Sequence, residues 1–260
     1  HRGPLRRALR YSRGSAGYAG IMDLGAVKAA SRPDLLACVA AAAENTQGLL
    51  NDAELLSAAG QHARAYSLAV LAVEEFGKAA CLLVLAVMPE NLRSQAPVRR
   101  MLEWHQLKLV GGMLMAVVTF DPPGAAARLA SMPITQLKQI LETTDAFAED
   151  ADRLKLRGLY VDMDRQGRIR RPSEITEAEA SAQLARARQV ASSARQLRDP
   201  NTWLSDPPPE AIELSRTLVQ AFAEAGDVRS PEAAAAILLQ AVTKLQQQLP
   251  ASETAARSRS

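Results

Sequence analysis

Aromatic side chains are scarce in this chain: four Phe, four Tyr and two Trp among 260 residues. A platform on which successive nucleobases stack needs several rings on one face, so that mode of single-strand binding is excluded. Cysteine is scarcer still. Cys38 and Cys81 stand far apart, each in an apolar stretch of helical character, and two thiols at that spacing make neither a disulfide framework nor a cysteine metal site. Both are expected to be buried as small hydrophobes. Long apolar runs are also missing. The longest apolar region, 68–87, is interrupted by Glu74, Glu75 and Lys78, which argues against a span of about 20 apolar residues. No membrane association is expected, and a cytoplasmic location follows.

Acidic residues are absent from the first 21 positions, where Arg2, Arg6, Arg7, Arg10 and Arg13 fall. The remainder carries 26 basic and 28 acidic residues, so the body is not a global nucleic-acid binder and any RNA-facing surface must be a local patch. The tail HRGPLRRALRYSRGSAGYAGI, ahead of Met22, lacks the apolar stretch of a secretory signal, and its Arg, Gly and Ser cannot build a core. We read residues 1–30 as a disordered basic tail outside the fold.

What the chain does contain is alanine with Leu, Glu, Gln and Arg and few β-branched runs, the composition of closely packed helices. The class is all-α. Ser31 and Pro33 open a first helix over 34–59, which Gly60 stops. A second, over 61–87, keeps Tyr66, Val70, Val73, Phe76, Ala80 and Leu83 at steps of three and four until Pro89. So short a link makes the two an antiparallel hairpin. Pro97 opens a third helix that runs to about Phe120, and a fourth spans 134–156.

The stretch RGLYVDMDRQGRIRRPSEI then breaks the helical pattern with a β-like run, Leu159-Tyr160-Val161, and a turn at Asp164-Arg165-Gln166-Gly167. It reads as one ordered loop or small hairpin, expected to pack on the bundle through Leu159, Tyr160 and Val161, with Asp162 bonding loop amides or Arg157. Thr176 and Glu179 stand at capping-box spacing and start a fifth helix that continues to about Leu197. Two shorter helices follow near 210–225 and 231–249. The organisation expected is a helical domain over 31–200, a C-terminal helical extension over 201–250 and a disordered tail over 251–260.

Two constellations carry chemistry. In AVLAVEEFGKAA, two carboxylates and a lysine sit within an apolar helix, where an unpaired charge costs several kcal/mol. Glu74 and Lys78 are four apart and can pair, while Glu75 points about 100° away. The second constellation is RRMLEWHQLK, where Arg100 precedes His105 and Lys108 follows it. Arginine can clamp a phosphate through its planar fork, and histidine can move a proton near neutral pH, which together suit an anionic phosphodiester. Neighbouring cations make a metal site unnatural there, and no cofactor is called for. We expect Glu74 or Glu75 to face the third helix and meet Lys108 or His105.

The order AVEEFGK, then His105-x2-Lys108, then RGLYVD resembles the AbiV family of bacterial abortive infection proteins, within the HEPN superfamily, over roughly residues 35–200. That resemblance implies a HEPN-like antiparallel helical bundle with an antiviral role. It further implies a metal-independent endoribonuclease of the kind built on Arg-x4-6-His, with Arg100 and His105 catalytic and with Glu74, Glu75, Lys78, Arg99, Lys108, Tyr160 and Asp162 shaping the site. Arg99 and His105 also meet that spacing. Met101 stands where active members often carry a polar residue. RNA is the implied substrate and a homodimer, with helices two and three or their flanks in contact, the implied assembly. The alternative is a non-catalytic helical protein that arrests growth by binding a phage or translation-machinery protein.

Overall fold

Local chemistry sets where each helix starts and stops in the computed structural model, which describes residues 24–93, 102, 108–110, 112, 128–129, 131–163, 166–197, 209–224 and 231–248. Helix α1 (Leu24–Ala29) is short, and α2 (Arg32–Ala58) follows it directly. Ser31 caps α2 in a reciprocal box: its hydroxyl accepts from the Asp34 amide, and the Asp34 carboxylate accepts from the Ser31 amide, both at 3.3 Å. Pro33 lies in the first turn, where no intrahelical donor is lost. At the far end Gly60 adopts φ 72°, a left-handed conformation that L side chains rarely take, and the chain reverses into α3 (His62–Val87). A four-residue helix, α4 (Glu90–Arg93), comes after Pro89.

Helix α5 (Ile134–Leu159) leads into two short strands, β1 (Asp162–Met163) and β2 (Ile169–Arg170). They pair antiparallel, Asp162 opposite Arg170 and Met163 opposite Ile169. After a single 3-10 turn at Pro172–Glu174, α6 (Glu177–Ala194) opens on the expected box, the Thr176 hydroxyl accepting from the Glu179 amide and the Glu179 carboxylate from the Thr176 amide. Those bonds hold the Glu179 carboxyl below its ordinary range. Helices α7 (Pro209–Glu224) and α8 (Pro231–Gln248) complete the described chain.

Helix α3 is the axis of the bundle. Helices α2, α5 and α6 pack around it, α8 packs on α5, and α7 packs on α8 and touches α3. Eighteen of its 26 residues are buried, and Phe76, Val70, Val73 and Leu85 have no exposed surface at all. Helices α7 and α8 contribute Val219, Ile237, Leu238 and Val242 to the same core. The Gln246 amide nitrogen ties α8 to the start of α5 by donating to the carbonyls of Leu129 and Met132 at 3.0 and 2.8 Å. Arg186 of α6 stacks 5.0 Å over the Phe147 ring of α5, joining two helices that both flank α3.

Several sequence expectations are corrected. Residues 24–29, read as part of a disordered tail, are helical, because Val27 finds the core and buried Arg93 donates to the Ala30 carbonyl. Cys38 is exposed rather than buried, whereas Cys81 is buried. The fourth helix runs on to Leu159, so the β-like run Leu159-Tyr160-Val161 is not the strand; pairing begins at Asp162. Nor do those three residues pack on the bundle, for they are 40%, 58% and 67% exposed. The bundle contact is made just before them, at Gly158. Of the third helix, the described positions 102, 108–110 and 112 are helical, and the rest of 97–120 lies outside the described residues.

Two glycines set how closely α3 is approached. A Cβ on Gly77 would sit 1.9 Å from the Lys108 carbonyl oxygen, so the helical segment at Lys108 crosses α3 backbone to backbone. Gly112 continues that crossing, 3.1 Å from Gly77 Cα when given a Cβ. A Cβ on Gly158 would lie 2.2 Å from Ser67 Oγ and 2.4 Å from the Ala63 carbonyl oxygen. The Ser67 hydroxyl bridges that second crossing, 2.8 Å from the Lys155 carbonyl and 3.1 Å from that of Ala63. By contrast, Gly48, on the exposed face of α2, has nothing within 4 Å of its would-be Cβ.

Gly158→Ala and Gly77→Ala are therefore expected to destabilise the fold by about 1–3 kcal/mol each through forced separation of packed helices. Gly48→Ala should stabilise it by ~1 kcal/mol, because only the helix-propensity term remains. Urea unfolding of the three variants beside the wild type checks this; a destabilised Gly48→Ala or a neutral Gly158→Ala would contradict the packing account.

Candidate functional site

The carboxylate of Glu74 lies in the middle of α3 on a face otherwise lined by Val70, Val73 and Gly77, and the residue is only 5% exposed. A buried charge there needs a partner. It is Lys155 of α5, 6% exposed, whose ammonium donates to Glu74 Oε1 at 2.5 Å. The expected Glu74–Lys78 pair is thus not the one formed. Lys78 pairs instead with Glu75, three residues back, at 2.5 Å on a half-buried stripe of α3 that also carries Leu68 and Leu71. The helix offers Lys78 two carboxylates, and burial of Glu74 against α5 leaves the outer one for it.

Lys108 also acts on Glu74. Its backbone crosses at Gly77, one turn beyond Glu74 on α3, and its ammonium is held below the usual lysine range because burial disfavours the charge. Glu74 pulls in the opposite direction, and Lys155 and Lys78 add to the lowering. Glu74 and Lys108 thus interact as charges, while the direct ion pair of Glu74 goes to Lys155. Cys81, one turn further along α3, shares this environment; burial pushes its thiol up to about 12, with Lys108 drawing it back. Such a thiol is inert as a nucleophile.

Glu74, Lys78 and Lys155 thus act electrostatically on Lys108 at one crossing, and Glu75 pairs with Lys78 on the outer stripe beside it. Among the described residues, three lysines stand against two glutamates here, an excess of positive charge in a partly buried setting. An entering anion would relieve it, as would loss of a proton from Lys108. Arg99, Arg100 and His105 lie outside the described residues. Tyr160 and Asp162 do not join this cluster. Tyr160 is exposed beyond the end of α5, and Asp162 turns back to accept from the Met163 amide at 2.7 Å. Arg157, offered above as a partner for Asp162, bonds Glu174 at 2.7 Å, and Arg170 shares that carboxylate at 3.4 Å. The Arg171 amide above all, and then the two guanidiniums, hold the Glu174 carboxyl below its ordinary range.

Sequence reasoning missed Lys155. The signal was present: Phe147, Ala148, Ala151, Leu154 and Gly158 trace one buried helical face, and Lys155 occupies that face four residues after Ala151. A small cleft of about 340 Å³ lies at the other end of α3, bordered by His62, Arg64, Gly158 and Ser173. Among the described residues, no group of three or more His, Cys, Asp or Glu is placed to hold a metal ion, and no helix is long and apolar enough to cross a membrane.

Comparison with known proteins gives one family. A family model described as AbiV, of HEPN type, matches residues 34–192, more than half of the chain. No curated protein and no solved structure matches. The matched span runs from the first turn of α2 to the last turn of α6 and so contains both glycine crossings and the Glu74–Lys155 pair.

Removing either partner of the buried pair strands the other. Glu74→Leu and Lys155→Met are each expected to cost ~3–5 kcal/mol, and the double variant Glu74→Leu/Lys155→Met less than their sum. A denaturant double-mutant cycle measures this, and strict additivity would show that the two groups do not interact. Because the folded-state pKa of Lys108 is depressed, the unfolded chain binds its proton more readily, and stability should rise with pH from that depressed value toward the free lysine value of about 10.4. NMR titration of lysines labelled by reductive methylation should show one lysine titrating early that is missing from Lys108→Met.

Proposed function

The chain belongs to the AbiV family, and from that premise we propose that it is a bacterial anti-phage effector acting by abortive infection, as a metal-independent endoribonuclease of HEPN type. The observation that carries this reading is the lysine-rich, half-buried crossing at Gly77. It brings Lys108 against the helix that carries Glu74, Glu75 and Lys78, and Lys108 follows His105 by three residues and Arg100 by eight.

In this reading His105 takes the proton of a ribose 2′-hydroxyl, or gives one to the departing 5′-oxygen, as the 2′-oxygen attacks phosphorus and the P–O5′ bond breaks. Arg100 stabilises charge on the phosphorane through its planar fork, and the Lys108 ammonium, whose charge burial disfavours, gains a phosphate oxygen as counter-charge. Glu74 orients the cluster from below. RNA is the substrate class, and a homodimer would set two such sites side by side. The contact would use the half-buried stripe of α3 and its flanks, since the remaining faces of α3 are covered by α2, α5 and α6.

The alternative, a non-catalytic protein that arrests growth by binding a phage or translation-machinery protein, draws support from a different feature. The residues around the β hairpin leave large apolar side chains exposed, as binding surfaces do.

Purified full-length chain incubated with labelled RNA in EDTA should cleave it, and His105→Ala should lower the rate by about 10²- to 10⁴-fold, the worth of a positioned proton carrier. The circular dichroism spectrum should not change. Arg100→Lys should rescue poorly, because an ammonium does not reproduce the bidentate fork, and Arg99→Ala serves as the neighbouring control. Phage protection that persists in a folded His105→Ala protein would overturn the nuclease reading in favour of partner binding. Light scattering at high micromolar concentration should find a dimer.

A further inference from the structure

We propose that the outer face of the α5 terminus, together with the β hairpin, is a docking surface for an extended segment of a partner protein that alternates apolar and acidic side chains. This goes beyond the nuclease reading and does not depend on it. Among the described residues eight large hydrophobic side chains are exposed, and six of them are here: Leu156, Leu159, Tyr160, Val161, Met163 and Ile169. Apolar surface left in water forgoes ~25 cal/mol per Å² that burial would return, and a cluster of such groups within 14 residues of sequence is unlike the scattered single exposures of an ordinary surface.

The patch has shape as well as apolarity. A cleft of about 560 Å³ lies at its centre, lined by Arg153, Arg157 and Arg170 between Leu156, Tyr160 and Val161, with Asp162 at its edge. Arg153 is steadied by Asp150 at 2.6 Å, and Glu174 steadies both Arg157 and Arg170; the Glu179 carboxylate adds a longer-range pull on Arg157 and Arg153. These carboxylates lie outside the lining and fix the arginines from behind. A guanidinium has five N–H donors, so one carboxylate does not exhaust Arg153 or Arg157. An occupant of the cleft therefore meets three guanidiniums that share two carboxylates outside the lining, together with Asp162, whose Oδ1 already accepts the Met163 amide.

Charge and side-chain type then select the occupant. Aliphatic Leu156, Val161, Met163 and Ile169 suit apolar side chains, whereas nucleobases need rings to stack on, and Tyr160 is the single ring of the patch. A second copy docking face to face would oppose arginine to arginine across a two-fold axis. The hairpin favours an extended partner: two-residue strands beside the cleft offer an edge along which a third strand can run, with alternate side chains directed to the cleft and away from it.

The full chain is immobilised and used to select from a random dodecapeptide library by messenger-RNA display, with Val161→Asp and Arg153→Glu as counter-selections. Both positions are exposed, so both variants should keep the wild-type circular dichroism spectrum and melting temperature. Enriched peptides alternating Asp or Glu with Leu, Ile, Val or Phe are expected, binding the wild type at least about tenfold more tightly than either variant. Their affinity should fall with added salt. The proposal is overturned if no peptide enriches, or if enriched peptides lack acidic residues or bind both variants as well as the wild type. It is equally overturned if an oligouridine binds here in place of any peptide, or if the wild type self-associates through a contact that Val161→Asp removes. None of these results depends on whether RNA is cleaved.

Discussion

One ion pair holds the two halves of this bundle in register. Glu74 of α3 and Lys155 of α5 are 81 residues apart in sequence, both nearly excluded from water, and their charged atoms are 2.5 Å apart. Such a pair is a poor source of net stability, since desolvating two ions consumes most of the attraction they gain. Its effect is on geometry. Any slide of α5 along α3 by a helical turn would leave a carboxylate and an ammonium facing alanine and valine, and that cost excludes neighbouring registers that the small, interchangeable Ala side chains of the core would otherwise tolerate.

The glycines make that register reachable. Gly158 lets α5 come against Ser67 and Ala63, three residues beyond Lys155, and Gly77 lets the Lys108 segment come against α3, three residues beyond Glu74. Each charged member of the pair therefore has a glycine crossing on its own helix, one turn on. Close approach shortens the reach the charged side chains must span and expels water from around them. In turn, expulsion of water lowers the proton affinity of Lys108, so the same packing that fixes the fold sets the electrostatics of the candidate site.

The helices were legible because their punctuation is local. Ser31 with Asp34, Gly60, and Thr176 with Glu179 act within a few residues, and each boundary they mark lies within two residues of its expected place. Partner choice was not legible, because it depends on which face of α3 is covered. Glu74 and Glu75 look alike in sequence, and only the approach of α5 decides that Glu74 turns inward to Lys155 and Glu75 outward to Lys78. The segment after Gly158 misled for a related reason. Leu159, Tyr160 and Val161 have the composition of a buried strand, but the helix continues through Leu159 and its contact with the bundle is already complete at Gly158, so the apolar residues that follow are left outside. Of the candidate site, the cluster around Glu74 could be anticipated from the cost of burying two carboxylates, whereas Lys155 required the observation that an ammonium interrupts the apolar face of α5.

The last two turns of α5 serve two surfaces at once. Leu154, Lys155 and Gly158 face inward, toward the core, Glu74 and Ser67, while Arg153, Leu156 and Arg157 border the outer cleft. Six consecutive residues of a hydrogen-bonded helix move as one body, because a rotation that buries Leu156 further must also turn Lys155 about the same axis. Lys155 has little freedom to absorb such a rotation, being nearly fully buried and bonded to a carboxylate whose own helix is packed on every side but one. The inner and outer surfaces of these two turns therefore share one rigid helical segment, fixed to α3 at Glu74, the group whose charge most supports the ammonium of Lys108.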